Sequence, residues 1–229
     1  MAANTSPSIA RTSTGNVITF QANTGDLWIY DGAKAFDTFL GMAAGTSPSI
    51  AALEGGGYVV AIHASGSNDL WTYSSGSGGV DRKVAVATGT SPSVAGLSGG
   101  SYEVAYSAGG TNRFWTFSPG GGPIEHFINI AAGTSPSIAA FEGGNYEVAF
   151  SASSGNELWT YSPVAGGVGH GLGLASGTSP SISSLWGEHF NVAFSAAGSN
   201  YLWSYSTTNG ASNYGLGLLG GSSPSVALG

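Results

Sequence analysis

Five of the six tryptophans in this 229-residue chain recur at one position: Trp28, Trp71, Trp115, Trp159 and Trp203. Each is followed two residues later by a second aromatic, Tyr30, Tyr73, Phe117, Tyr161 or Tyr205. An indole face receives the apolar C–H face of a sugar ring, and its N–H donates to a hydroxyl. The same two rings, sharing one face of a strand, also pack one sheet upon the next. Both readings stand at this point. Ahead of the tryptophans recurs an asparagine, Asn23, Asn68, Asn112, Asn156 or Asn200. Its amide both donates and accepts, which suits paired hydroxyls, but Asn also favours tight turns because it tolerates positive φ. Two further polar columns flank these: Gln21, His63, Ser107, Ser151 and Ser195 before the turn, and Thr38, Arg82, His126, His170 and Tyr214 after the tryptophans. Trp186 lies outside the pattern.

Residues for catalysis are present without a constellation. The four histidines, His63, His126, His170 and His189, fall in different stretches, and none has the i, i+4 spacing of a metal site. Glu103 and Glu147 recur on a strand pattern with no fixed acid partner, so paired-carboxylate hydrolysis has no visible pair. Glycine-rich stretches such as SSGSGG lack the strand, glycine spacing and helix of a phosphate cradle. The expectation is a protein without catalysis, metal or cofactor.

The elements that position these columns repeat. The line GTSPSIAAL at residues 45–53 returns in close variants, with prolines at Pro7, Pro48, Pro92, Pro136, Pro180 and Pro224. Between those prolines each unit offers an alternating run such as YEVAYSA from Tyr102. A short Gly, Ser and Asn turn leads to a run such as RFWTF from Arg113, and after a glycine-rich link comes a weaker run such as IEHFINI. Alternation of this kind signals strands, and the first two runs read as a hairpin. Each unit therefore predicts four short antiparallel strands, with SPSIA innermost, where small side chains allow crowding and Pro can stand first in a strand.

A period near 44 residues lies in the range of propeller blades, about 40 to 50 residues. Radial packing covers both faces of each sheet. The fold expected is all-β, a five-bladed β-propeller in one domain. Its repeats span about 6–46, 47–90, 91–134, 135–178 and 179–222, with a closing strand at 223–229. Ser223 to Leu228 is expected to complete the blade of residues 16 to 42, with Ser6 to Ala10 displaced or holding that slot itself. A surplus strand from a longer repeat array is the other reading.

Composition narrows the partners. Charged residues make up 7% of the chain, against about 25% in ordinary soluble domains. A formal charge of −7 with only five Lys and Arg argues against nucleic acid and acidic membrane surfaces. There is no cysteine, hence no disulfide and no thiolate metal site. No run approaches the roughly 18 apolar residues of a spanning helix, and the N-terminus has no signal-like pattern. A soluble chain is expected. The cellular compartment, secretion included, and the oligomeric state stay open.

The succession SPSIAALEGGGYVVAIHASGSNDLWTYSS with its following GLGL-type strand resembles the repeat of bacterial propeller lectins of the PLL and tectonin-like kind. The resemblance runs from about Ser6 to Gly229. It implies sugar binding in shallow pockets at or between blades, without catalysis or a necessary metal, and hence glycans as partners of a multivalent lectin. The fourth-strand column, where related repeats often carry an aromatic, departs from the pattern here. The alternative function is a structural or protein-interaction propeller without sugar sites.

Overall fold

The computed structural model describes residues 1–227; Leu228 and Gly229, the end of the expected closing strand, lie outside the described residues. Five four-stranded antiparallel sheets follow one another along the chain. The first holds β1 (Ser8–Thr12), β2 (Gly15–Gln21), β3 (Asp26–Tyr30) and β4 (Ala35–Gly41), and the second β5 (Ser49–Ala52), β6 (Tyr58–His63), β7 (Asp69–Ser74) and β8 (Gly78–Ala85). The third comprises β9 (Ser93–Gly96), β10 (Tyr102–Ser107), β11 (Arg113–Ser118) and β12 (Gly122–Asn129). The fourth has β13 (Ser137–Ala140), β14 (Tyr146–Ala152), β15 (Glu157–Ser162) and β16 (Gly166–Gly173), and the fifth β17 (Ser181–Ser184), β18 (Phe190–Ser195), β19 (Tyr201–Ser206) and β20 (Gly210–Gly217). This is the five-bladed propeller arrangement expected from the repeat.

Burial explains the residue pattern of the second strands. Every residue of β6, β10 and β14 is buried, because a sheet lies against each face, and so these strands read as nearly continuous apolar runs. In β2 burial alternates, with Val17, Thr19 and Gln21 inside. Four apolar clusters fill the spaces between successive sheets. In the space between the second and third sheets, Val59, Ala61 and Leu70 meet Tyr102, Val104 and Tyr106.

The repeated line is a cross-link between neighbouring innermost strands. Thr46 closes the turn by donating its Oγ1–H to the Ala43 carbonyl at 2.7 Å, and Thr90, Thr134 and Thr178 do the same one repeat on. The N–H of Ser47 donates to Ser91 Oγ (2.9 Å) in the next copy, while the N–H of Val94 donates back to Ser49 Oγ (3.0 Å). Proline between the two serines has no N–H to leave unpaired. Each copy between the two ends thus holds both neighbours through two hydroxyls.

The closing strand departs from the expectation. Residues 8–12 pair with β2 in register Ile9↔Ile18, so the N-terminal copy fills the inner slot of the first sheet. The C-terminal copy lies beside β17, where the N–H of Ser179 donates to Ser223 Oγ (2.9 Å) and that of Val226 to Ser181 Oγ (3.2 Å). It continues the series of inner strands and is not inserted beside β2. The reason is local: β1 reaches β2 through a short connection, whereas the C-terminal copy inherits the position after β17 from the same serine contacts that set every other copy.

Candidate functional site: the clefts between sheets

Each fourth strand carries a bulge. Trp28 opposes Asp37 while Asp26 opposes Gly41, so three residues of β4 lie against Leu27 alone, and the same shift recurs in the other four sheets. A bulge re-aims a side chain. The middle residue takes left-handed backbone in every repeat: Phe39 (φ 58°), Lys83 (58°), Phe127 (56°), Gly171 (66°) and Gly215 (64°). Asp37 and Asp81 fix it by accepting the N–H two residues on, at 2.8 Å each. A bulky residue rarely adopts this conformation. Phe39 and Phe127 do, and they stand 85% and 76% exposed.

These bulges form one lip of a cleft between successive sheets. Between the first and second, a cleft of about 270 Å3 is lined by Phe39, Leu40 and Gly41 on one side and by Ile62, Ala64, Ser65, Ser67, Trp71 and Asp81 on the other. The cleft between second and third sheets, about 260 Å3, has Val84 and Ala85 facing Tyr106, Gly109, Thr111 and Trp115. Between fourth and fifth, about 250 Å3, Gly171 to Gly173 face Phe194, Ala197 and Trp203. In all three the recurring tryptophan forms part of the wall. Its ring also packs in the clusters between sheets, as Trp115 and Trp203 do, so the column serves packing and lines a cleft at once. The indole N–H of Trp28, Trp71, Trp115 and Trp203 is buried without an acceptor. That of Trp159 donates to Glu157 Oε2 at 3.2 Å.

The asparagine column has a backbone role. Asn68, Asn112, Asn156 and Asn200 all take positive φ, between 53° and 58°. Their carbonyls accept the N–H of Val86, Ile130, Leu174 and Leu218 at 2.7–2.8 Å, tying the turn to the end of the same sheet's fourth strand. In the first repeat Gly25 does this, accepting from Met42 at 2.8 Å, and Asn23 stands outside the column. Among the described residues none of the five side-chain amides makes a hydrogen bond. They lie on the turns beside Ser67 and Thr111 of the cleft walls.

The fourth-strand column is placed between sheets instead of in the clefts. Arg82 donates from Nε to Thr72 Oγ1 and from Nη2 to Tyr102 Oη of the next sheet, both at 2.8 Å, with its guanidinium 5.2 Å from the Phe117 ring centre. His126 Nε2 lies 3.0 Å from Thr116 Oγ1, its ring 4.2 Å from that of Tyr161. His170 repeats this with Thr160 at 3.0 Å and Tyr205 at 4.2 Å. Burial lowers the pKa of both, that of His126 to about 4, so the rings are neutral near pH 7. Thr38 donates to the Leu27 carbonyl at 2.7 Å. Tyr214 pairs with Ser204 Oγ at 3.0 Å and lines an open hollow on the outer face of the fifth sheet.

The column before the turn is buried throughout. Its carbonyls receive the N–H of the preceding sheet's link, as His63 does from Ala43 and Ser107 from Ala87, at 2.8 Å each. Glu103 and Glu147 are buried near the other end of the sheets, and burial raises the pKa of both. Among the described residues no group of three or more His, Cys, Asp or Glu side chains is placed to hold a metal ion.

No protein-family model matches the chain, and a search of curated proteins finds no match. Solved structures do match. The fucose-binding lectin of Aleuria aurantia, solved with Fucα1-6GlcNAc, is similar with a TM-score of 0.64 at 14% identity, over 90% of this chain and 76% of the lectin. A streptogramin B lyase matches with a TM-score of 0.62 at 12% identity, over 96% of this chain and 71% of its own. TolB from Acinetobacter baumannii follows with 0.57 at 13%, over 88% and 51%. The fold is a β-propeller. Lectin and lyase share it at similar distance, so function must be argued from the clefts.

Proposed function

We propose that this chain binds carbohydrate in the clefts between neighbouring sheets and acts through several such sites at once. The observation that carries the reading is Phe39, an exposed aromatic held in left-handed backbone at the lip of the cleft whose wall includes Trp71 and Asp81. Exposure and backbone strain both count against Phe there in terms of folding, by about 1–3 kcal/mol for the strain alone. A sugar ring offers an apolar face to the aromatic lip and hydroxyls to the Asp81 carboxylate and the serines. The unpartnered indole N–H groups are donors that a ligand oxygen reached by local adjustment would satisfy.

The bulge residues are unequal: Phe39 and Gly171 line their clefts, while Lys83, next to Val84 of the second cleft, and Phe127 on the third sheet hold the same left-handed position. Unequal lips imply unequal affinities among sites. The turn amides of Asn68, Asn112, Asn156 and Asn200, without intramolecular partners, are the adjacent groups that extend a site toward solvent. The PLL and tectonin-like resemblance and the likeness to a lectin solved with a fucosylated sugar support the same ligand class. Weak sites repeated along one molecule raise binding to a dense glycan surface by roughly 100-fold to 10,000-fold.

A glycan array identifies the sugar, and calorimetric titration of that sugar into Phe39→Ala and Lys83→Ala variants then tests the clefts. The expected result is loss of the tightest phase in Phe39→Ala with the fold intact. An array without hits, or unchanged titration in both variants, overturns the proposal in favour of a propeller that serves as structure or as a protein-binding surface.

A further inference from the structure

The two ends of the array expose faces that every other sheet covers. Ile9 on β1 is 61% exposed, whereas Ile50, Val94, Ile138 and Ile182 at the same place in the following sheets are 6–7% exposed. At the other end Leu219 is 83% exposed, against 8% and 7% for Ala175 and Ala131. Every residue of β20 is exposed, Leu216 and Tyr214 included, whereas each of the other four fourth strands has half-buried positions. Among the described residues no hydrogen bond joins the first sheet to the fifth. The two open faces are the two halves of an interface the chain builds internally four times.

The ends also duplicate one segment. Residues 2–10, AANTSPSIA, and residues 219–227, LGGSSPSVA, fold the same turn, with Thr5 donating to the Ala2 carbonyl (2.8 Å) and Ser222 to that of Leu219 (2.6 Å). Ala2 donates its N–H to the Gln21 carbonyl at 2.8 Å, the bond that Ala43 makes with His63 one repeat later. Residues 219–227 stand ready to make the same contacts with a β2 strand that the described molecule does not bring to them.

We infer that a second copy of this chain docks head to tail, the outer face of its first sheet upon the outer face of the fifth. Residues 219–227 of one copy take the inner slot from residues 2–10 of the next. Two observations favour a second copy over closure of one chain upon itself. The ends are apart in the described molecule, where Ile9 and Leu219 both stand exposed. The receiving face carries almost no charge, since residues 179–229 hold one carboxylate, Glu188, and no Lys or Arg. Repulsion between copies of net charge −7 is therefore weak at the joint. Such a contact is heterologous and propagates to rings or filaments.

The absence of cysteine makes a disulfide test clean. Where sheets meet internally, a Cβ on Gly173 would lie 3.1 Å from that of Ala197, close to the separation a disulfide spans. The corresponding pair at the open ends is Gly217 and Asn23. Mixing separately purified Gly217→Cys and Asn23→Cys chains under mild oxidation is expected to give covalent dimers, while neither variant alone does. Sedimentation of the unmodified chain is expected to show a mass rising with concentration from 22.8 kDa toward twice that value and beyond, and Leu216→Asp to reverse it. A mass fixed at the monomer value at all concentrations, or a Gly217→Cys/Asn23→Cys double variant that cross-links only within single chains, overturns the inference.

Discussion

The N–H of Ser91 donates to the Oγ of Ser135, 2.9 Å away on the next sheet, and the same bond joins Ser6 to Ser47, Ser47 to Ser91, Ser135 to Ser179 and Ser179 to Ser223. The innermost strands are held together by side chain and backbone alternately, since they are too short and too divergent in direction to share a ladder. Replacing Ser135 by Ala leaves the Ser91 N–H without its acceptor in a half-buried place. The expected loss is about 1–2 kcal/mol, read from denaturant unfolding. Ser154→Ala, on an exposed turn with no such bond, should leave the midpoint unchanged.

Phe39 separates binding from stability. Its left-handed backbone is free of strain for glycine, as Gly171 and Gly215 show at the same bulge. Phe39→Gly is expected to keep or raise the unfolding free energy, by up to about 1 kcal/mol, because little packing is lost from a side chain that is mostly in water. Sugar binding at that cleft should fall at the same time. A lowered melting temperature in Phe39→Gly would mean that the ring packs on its neighbours more than its exposure indicates.

Much of this fold was legible from period and alternation, because each repeat states the same four strands and nothing in the sequence competes with them. The clefts were less legible. The fourth-strand column drew attention at Thr38, Arg82, His126, His170 and Tyr214, yet a bulge turns those side chains into the space between sheets and sends the next residue outward. The available signal was the match between Arg82, His126 and His170 and the Thr72, Thr116 and Thr160 column ten residues earlier, which pairs them within one sheet. The exposed positions of Phe39, Lys83 and Phe127 carry little mark in the sequence, because a strand reading gives no warning of left-handed backbone. The Asx residues Asp37 and Asp81 two positions earlier were its only trace.

Histidine titration should shape the acid limb of stability. Burial lowers the pKa of His126 from 6.5 to about 4, and that of His170 in the same direction. The unfolded chain binds these protons more readily, so their contribution is complete above pH 6.5 and is lost as pH falls from there toward 4. Glu103 and Glu147, raised by burial, act oppositely: they stabilise at low pH and lose that contribution as pH rises through their folded values. Melting temperature is expected to fall between pH 6.5 and 4, and a His126→Gln/His170→Gln variant to fall less. A wild-type profile no steeper than the variant's would mean that the rings are protonated in place.

Trp71 and Trp159 occupy the same position in the second and fourth repeats but differ in one hydrogen bond. The Trp159 indole donates to Glu157, whereas that of Trp71 is buried with no acceptor. Replacement by Phe removes similar ring volume from both. In Trp71→Phe it also removes an unsatisfied donor whose burial costs about 1–3 kcal/mol, while in Trp159→Phe it breaks a charge-assisted bond. Trp71→Phe is therefore expected to destabilise less than Trp159→Phe, by about 1–2 kcal/mol in denaturant unfolding. If the Trp71 donor is kept for a ligand oxygen, the order reverses in sugar titration: Trp71→Phe loses affinity at its cleft, and Trp159→Phe, whose donor Glu157 already holds, keeps it. Equal losses of stability in the two variants would mean that water or a local shift already satisfies the Trp71 indole.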